Sequence, residues 1–278
     1  MAADALLDAA GTRHAPAASG ARIVSLVPSL TELICDLGLA GQLVGRTGFC
    51  IHPRATLKAI PKLGGTKDVN LARLRQLAPT HVVLNIDENR RETAQALMRF
   101  VPHLIVTHPL APKDNPPLYR LIGGIFNRRG EAETLCRRFG EAYAEARAAT
   151  RLLPRERVLY LIWKNPWMAV SRDTYIARML GVVGWSTLPA ASSARYPAVS
   201  FDGEIATRAE RVLLSSEPYR FGQRDIAGMR ELPVLQDKQI TLIDGEMTSW
   251  YGSRAIEGLR YLAKLRLELH ADAAGAAG

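Results

Sequence analysis

From Arg22 onward the chain alternates short apolar runs with amphipathic stretches, and no other feature constrains its fold as much. The apolar runs lie at residues 23–27, 43–44, 81–86, 104–107, 158–163, 212–215 and 240–243, each too short for an ordinary helix. Between them, residues 31–37, 71–77, 88–100, 175–180 and 254–269 read as helical stretches. Strands alternating with helices predict an α/β fold, with helices packed on largely parallel sheets.

Residues 118–153 break this rhythm. They contain no strand candidate, are rich in Ala, Glu, Arg and Leu, and lie between Pro116–Pro117 and Pro154. Gly123, Gly124, Gly130 and Gly140 weaken the stretch, so one long helix and a short helix followed by a longer one are both open. A helix of about 25 residues would run nearly 40 Å, the size of a rigid spacer between two α/β halves. The expected organisation is an N-terminal lobe over 21–117, a linking helical region over 118–154 and a C-terminal lobe over 155–269. The small-residue ends, 1–20 and 270–278, read as disordered.

Composition narrows the class. The 278 residues are 47% hydrophobic and 23% charged, a globular balance that excludes collagen-like repeats and disorder. No apolar stretch reaches the ~18 residues of a membrane span. The formal charge of +9 comes largely from scattered arginines such as Arg128, Arg129, Arg137, Arg138, Arg147 and Arg151. No aromatic-interleaved basic stripe or zinc-finger spacing accompanies them, so a solvated surface is expected and nucleic acid is not an expected partner. Cys35, Cys50 and Cys136 are odd in number and widely spaced, which argues against a disulfide framework. The N-terminus carries acids where a signal peptide has a basic region, so the sequence as written reads as lacking an export signal.

Candidate chemistry gathers after the apolar runs. Ser29 and Glu32 have the spacing of a capping box, and a ligand contact for Ser29 is the alternative. Phe49, Cys50 and His52 share a loop between Gly48 and Pro53. Cys-x-His offers thiolate and imidazole to a soft or borderline metal, while Phe49 and His52 also suit the flat lining of a ligand pocket. Gly64 and Gly65 allow a sharp turn without the ending of a nucleotide P-loop. Asp87 and Glu88 follow a strand, where acids serve as exposed dipole partners or as acid–base groups. Trp163 and Trp167 follow another strand, and Trp250 and Tyr251 precede the last helix with Arg254 at its opening. Three indoles and a phenol at strand exits point to a flat hydrophobic binding surface. The motifs of hydrolases, kinases and dinucleotide enzymes are absent.

RIVSLVPSLTELICDLGL, GRTGFCIHP, KLGGTKDVNLARLRQLAPTHVV and NIDEN resemble the N-lobe of ABC-transporter solute-binding proteins with a helical backbone. RVLYLIWKNPWMAVSRDTYIARMLGVVGW, VSFDGEIA, LLSSEPYRF and SWYGSR resemble its C-lobe. The likeness spans roughly residues 21–268, is to the cobalamin and iron-siderophore group, and is stronger to its cobalamin-binding branch than to the manganese and zinc branch. It implies two Rossmann-like lobes with mainly parallel sheets joined by one long helix, and a ligand held in the cleft between them. Ligand contacts are then expected from Ser29, Phe49, Cys50, His52, Gly65, Trp163, Trp167, Trp250, Tyr251 and Arg254. The family docks one acid of each lobe onto permease arginines, and here Glu88 and the shorter Asp202 occupy those positions.

The expected function is non-catalytic. A monomeric protein captures a metal chelate, foremost cobalamin or another corrinoid, for an ABC permease–ATPase complex in the periplasm. Gly64, Gly65 and Thr66 stand where some cobalamin binders have tryptophan, which leaves a siderophore or haem-like ligand open. The alternatives are a cytoplasmic corrinoid- or metal-handling protein and an α/β enzyme using Cys50, His52 and Glu88.

Overall fold

The computed structural model describes residues 6–201 and 204–276 and divides into two compact units. Of the described residues, the first comprises 6–109, 113–139 and 251–254; the second comprises 110–112, 140–201, 204–250 and 255–276.

In the first unit, β1 (Ile23–Ser25), β2 (Leu43–Arg46), β3 (His81–Asn85) and β4 (His103–Thr107) form a sheet in the order β2-β1-β3-β4. Every pairing is parallel. Helices Pro28–Asp36, Leu71–Gln76 and Arg91–Leu97 lie between the strands in sequence. All five residues of β3 are buried, as expected for a parallel strand covered on both faces. Val24, Leu26, Leu63, Leu74, Val82, Leu84, Leu97 and Val101 form the core.

In the second unit, β5 (Glu156–Trp163) is flanked by β8 (Arg211–Ser215), which pairs with β9 (Gln239–Ile243), all parallel. The other edge of β5 is shared. Its start pairs with parallel β7 (Trp185–Thr187), and its end with antiparallel β6 (Met168–Ala169). Each of the seven apolar runs contains or overlaps a strand, and the short β6 and β7 are additions.

The stretch between the sheets resolves into helices Asn115–Ile125 and Arg129–Thr150. Asn127, at φ 57°, turns the chain between them. Gly123 permits this corner, because a Cβ there would lie 2.6 Å from Ala132 Cβ and 2.8 Å from the Arg128 carbonyl. The second helix has 22 residues, about 33 Å.

The described parts of both chain ends, residues 6–20 and 270–276, are more ordered than their composition predicts. Within 6–20, the Asp8 carboxylate accepts from the backbone N–H groups of Ala10, Thr12 and Val106, and lies 3.1 Å from His14 Nε2. Both side chains are buried, and Ala9 N–H donates to the Val106 carbonyl. The segment thereby covers the outer edge of β4, which otherwise presents unpaired backbone groups. At the other end, the final helix runs from Arg254 to Ala276.

Two polar clusters mark the strand starts. In the second unit Glu156 accepts from Arg211 at 2.8 Å, Arg266 at 2.6 Å and the Trp185 indole at 2.9 Å. Both arginine side chains are nearly fully buried, so the one carboxylate holds β8 and the final helix to β5. Removing one partner of such a buried group leaves uncompensated charge. Glu156→Ala should therefore cost about 3–5 kcal/mol. All four tryptophans lie in this unit, so a lower urea midpoint by tryptophan fluorescence is the readout.

In the first unit His81 stacks on His103 at 4.7 Å and meets the edge of Phe126. Burial, then His103 and His14, push the His81 imidazole down to about 4 from 6.5. Folded His81 resists a proton that the unfolded chain accepts below about 6.5, so stability is lost as pH falls from there towards 4. Circular dichroism should give a lower urea midpoint at pH 5 than at pH 7, with a smaller difference in His81→Gln.

Candidate functional site

A parallel sheet sends its strand ends to a common edge, and the loops leaving that edge carry ligand groups in α/β proteins. In the first unit the loop after β2 is built on Arg46, which is only 5% exposed. Its guanidinium donates to the Leu57 carbonyl from Nε and Nη2, and to the Thr47 and Cys50 carbonyls from Nη1. Four hydrogen bonds from one buried cation pin residues 47–57. Gly48 N–H also donates to the Gly64 carbonyl at 2.7 Å.

On this support Phe49 is 63% exposed and His52 half-buried. Gly65 faces the Phe49 ring, where an added Cβ would come within 3.3 Å of it. Cys50 turns inward and is fully buried. Thr31 donates to its sulfur at 3.0 Å, and the Thr47 hydroxyl lies 3.1 Å away. Burial raises the thiol's proton affinity, against the opposing hydrogen bonds from Thr31 and Thr47. The expectation that Cys50 offers a thiolate to ligand or metal is therefore corrected.

Ser29 is also buried, and the helix it was expected to cap begins differently. Val27 is the N-cap residue, without a side-chain bond, and Pro28 supplies the first turn. Glu32 instead forms a two-pronged pair with Arg254, at 2.6 and 2.7 Å, and burial raises its carboxyl despite the guanidinium. Arg254 is thus committed to a protein carboxylate rather than displayed for an acidic ligand.

The turn after β3 is organised by two asparagines. Asn85 Oδ1 accepts from the N–H groups of Asp87 and Glu88, while Asn89 donates to the carbonyls of Leu26 and Thr66. Glu88 is half-buried and accepts from the Tyr251 hydroxyl at 2.6 Å. Tyr251 itself is buried, so it positions Glu88 rather than lining an open surface.

In the second unit the exits of β5 and β8 carry a run of rings. Trp163, 41% exposed, meets Tyr219 edge-on at 5.8 Å, and Tyr219 tilts against Phe221 at 4.7 Å. Phe221 stacks on half-buried Trp167 at 5.9 Å, and Trp167 meets Phe201 at 5.2 Å. Lys164 lies 5.5 Å over Trp167 while paired with Asp225 at 2.8 Å. Trp250 does not join them. It is 8% exposed, and its indole N–H donates to Glu217 Oε1, which also accepts from Ser249. Burial raises the Glu217 carboxyl, so this is an internal polar cluster and Trp250 is corrected to a packing residue.

Asp202 lies outside the described residues. Sequence reading missed Tyr219, Phe221 and Phe201, and Ile86, 47% exposed at the exit of β3. The available signal was Tyr-Arg-Phe at residues 219–221, shortly beyond the 212–215 run. Among the described residues no three His, Cys, Asp or Glu side chains come together as a metal site, and no helix is long and apolar enough to cross a membrane.

Arg46→Ala should release the 47–57 loop and expose its thiol. Native Cys50 should resist a thiol reagent, whereas the variant should label several-fold faster under the same conditions.

The chain matches the description Periplasmic binding protein over residues 23–244. It is 21% identical over 225 residues to a vitamin B12-binding protein of Vibrio vulnificus strain CMCP6, covering 81% of this chain and 82% of that protein. Among solved structures, periplasmic vitamin B12 binding protein BtuF of Vibrio cholerae superposes with a TM-score of 0.77 at 16% identity, covering 89% of this chain and 96% of that one. Periplasmic heme-binding protein RhuT from Roseiflexus sp. RS-1 gives 0.77 at 21%, covering 89% and 98%. HutB of Vibrio cholerae, also a periplasmic heme-binding protein, gives 0.73 at 23%, covering 89% and 99%. With the match spanning most of its length and the two-unit parallel α/β fold in place, the chain belongs to the periplasmic binding protein family.

Proposed function

We propose that this protein is the solute-binding component of an ABC importer and that its ligand is a planar metal chelate, foremost a corrinoid. The carrying observation is the set of flat side chains at strand exits. Phe49 and His52 stand on the Arg46-pinned loop of the first unit, and Trp163 and Trp167 on the aromatic run of the second. Such rings offer apolar, polarisable contact to a broad macrocycle with little loss of side-chain entropy. Vitamin B12-binding relatives support the corrinoid. Haem is the second reading, supported by heme-binding structural neighbours.

The family resemblance extends the reading to a periplasmic location and a permease partner. Glu88 is the proposed docking carboxylate of the first unit, and its hydrogen bond from Tyr251 suits a fixed orientation. A charge of this kind chiefly steers and orients the partner.

Titration with cyanocobalamin, cobinamide, hemin and a ferric hydroxamate siderophore tests the ligand class, since tryptophan fluorescence reports on the second unit. Quenching that saturates at micromolar cobinamide or cobalamin is expected. Tighter hemin binding would favour the haem reading, and silence with all four ligands would overturn the proposal. Trp163→Ala should weaken binding roughly 3- to 10-fold, the scale of one aromatic contact. Trp250→Phe should leave affinity within about twofold while lowering stability, because it loses the bond to Glu217.

A further inference from the structure

Single exposed leucines are ordinary on a protein surface, but one that stands far out among charges of one sign is informative. Leu152 is 84% exposed, more than any other large hydrophobic side chain among the described residues. It lies in the second unit, in the turn between the helix Arg129–Thr150 and β5.

The surroundings of Leu152 are cationic. Residues 146–155 read ARAATRLLPR, with three arginines and no acid. Arg147, Arg151 and Arg155 are all exposed, and none forms an ion pair among the described residues. Other exposed arginines of this unit are paired: Arg157 with Glu210, Arg208 with Glu204, and Arg260 with Glu145 and Glu257. The negative end of the helix favours cations at 147 and 151, yet it gives no reason for a leucine held out beside them.

The backbone under this tip is fixed. Leu153 N–H donates to the Thr150 carbonyl, and buried Arg266 donates to the Pro154 carbonyl at 2.7 Å while its Nη1 binds Glu156. Arg266 thereby ties the tip to the final helix, where Lys264 and Leu267 are exposed in turn. Groups presented on an ordered backbone lose little freedom when they meet a partner.

An anionic bilayer complements both halves of this pattern. Lipid phosphates attract arginines, about fivefold in affinity for each one near the surface, and the headgroup region takes up an apolar side chain. A second copy of the chain presenting the same tip would set arginine against arginine. We propose that the 147–155 tip docks on a bilayer bearing anionic phospholipid, with Leu152 among the headgroups and Arg147, Arg151 and Arg155 on the phosphates. The tip precedes β5, at the start of that strand, so this contact leaves the strand exits of the same sheet open to ligand.

Full-length protein without ligand is sedimented with vesicles of phosphatidylcholine, with and without phosphatidylglycerol, at physiological ionic strength. Binding to the phosphatidylglycerol vesicles alone is expected. Arg151→Glu with Arg155→Glu should lower the partition coefficient about 10-fold or more. Leu152→Ser should lower it several-fold. Arg73→Glu with Arg99→Glu removes the same charge from exposed positions of the first unit, and should change it about twofold or less, because salt screens distant charges. Equal losses in the two charge-reversed proteins would reduce the binding to net charge and overturn the proposal. Unchanged binding by Leu152→Ser, or no sedimentation of a wild type whose circular dichroism is that of a folded protein, would overturn it too. Elution of the wild type as a dimer that Leu152→Ser abolishes would assign the tip to a second copy instead. Vesicle binding is read without a chelate, so its outcome is separate from that of the ligand titration.

Discussion

The parallel direction of the strands is the constraint on which the rest of each unit depends. Apart from the two-residue antiparallel β6, neighbouring strands run the same way, so each sheet has one edge of strand starts and one of strand exits. The exits open into loops, where the exposed Phe49, Ile86 and Trp163 stand. The starts carry the closed clusters, Glu156 with two arginines in the second unit and His81 with His103 in the first. Closed polar clusters and these exposed apolar side chains thus sit at opposite ends of the same strands.

Buried polar groups hold the exit loops in place. Arg46 spends its donors on three loop carbonyls, and Asn89 ties the turn after β3 to the glycine turn at residue 66. Glu32 with Arg254 and Glu88 with Tyr251 fix the segment 251–254 to the first unit. Gly252 adds to this, donating its N–H to Asn115 and accepting from the Tyr119 hydroxyl through its carbonyl. Such pairs stabilise little in net terms, since desolvation opposes them, but they hold one geometry where water would permit many.

Much of the fold was legible because buried parallel strands must be almost wholly apolar, and the chain has few other apolar runs. The short β6 and β7 carry too few residues to show a period. The ends misled for another reason. Small-residue composition signals disorder, yet one buried Asp8–His14 pair orders the stretch 6–20 through backbone bonds that composition does not reveal. At the site, residue type identified a loop worth attention but not the direction of its side chains. Phe49 and Cys50 are neighbours in sequence, yet one faces solvent and the other Thr31, because Arg46 sets the turn. Likewise Trp163 ends β5 with its indole exposed, whereas Trp250 follows the helix Gly245–Ser249, and only a partner 33 residues away, Glu217, shows that its indole is internal.

The proposed binding function requires that ligand be met at the strand exits and not elsewhere. Hydrogen–deuterium exchange with and without saturating cobinamide or hemin tests it most directly. Added protection should fall on residues 47–53, 163–167 and 219–221, with the amides around His81, His103 and Glu156 unchanged. Protection concentrated at those strand starts, or a saturated complex with unaltered exchange in the exit loops, would contradict it.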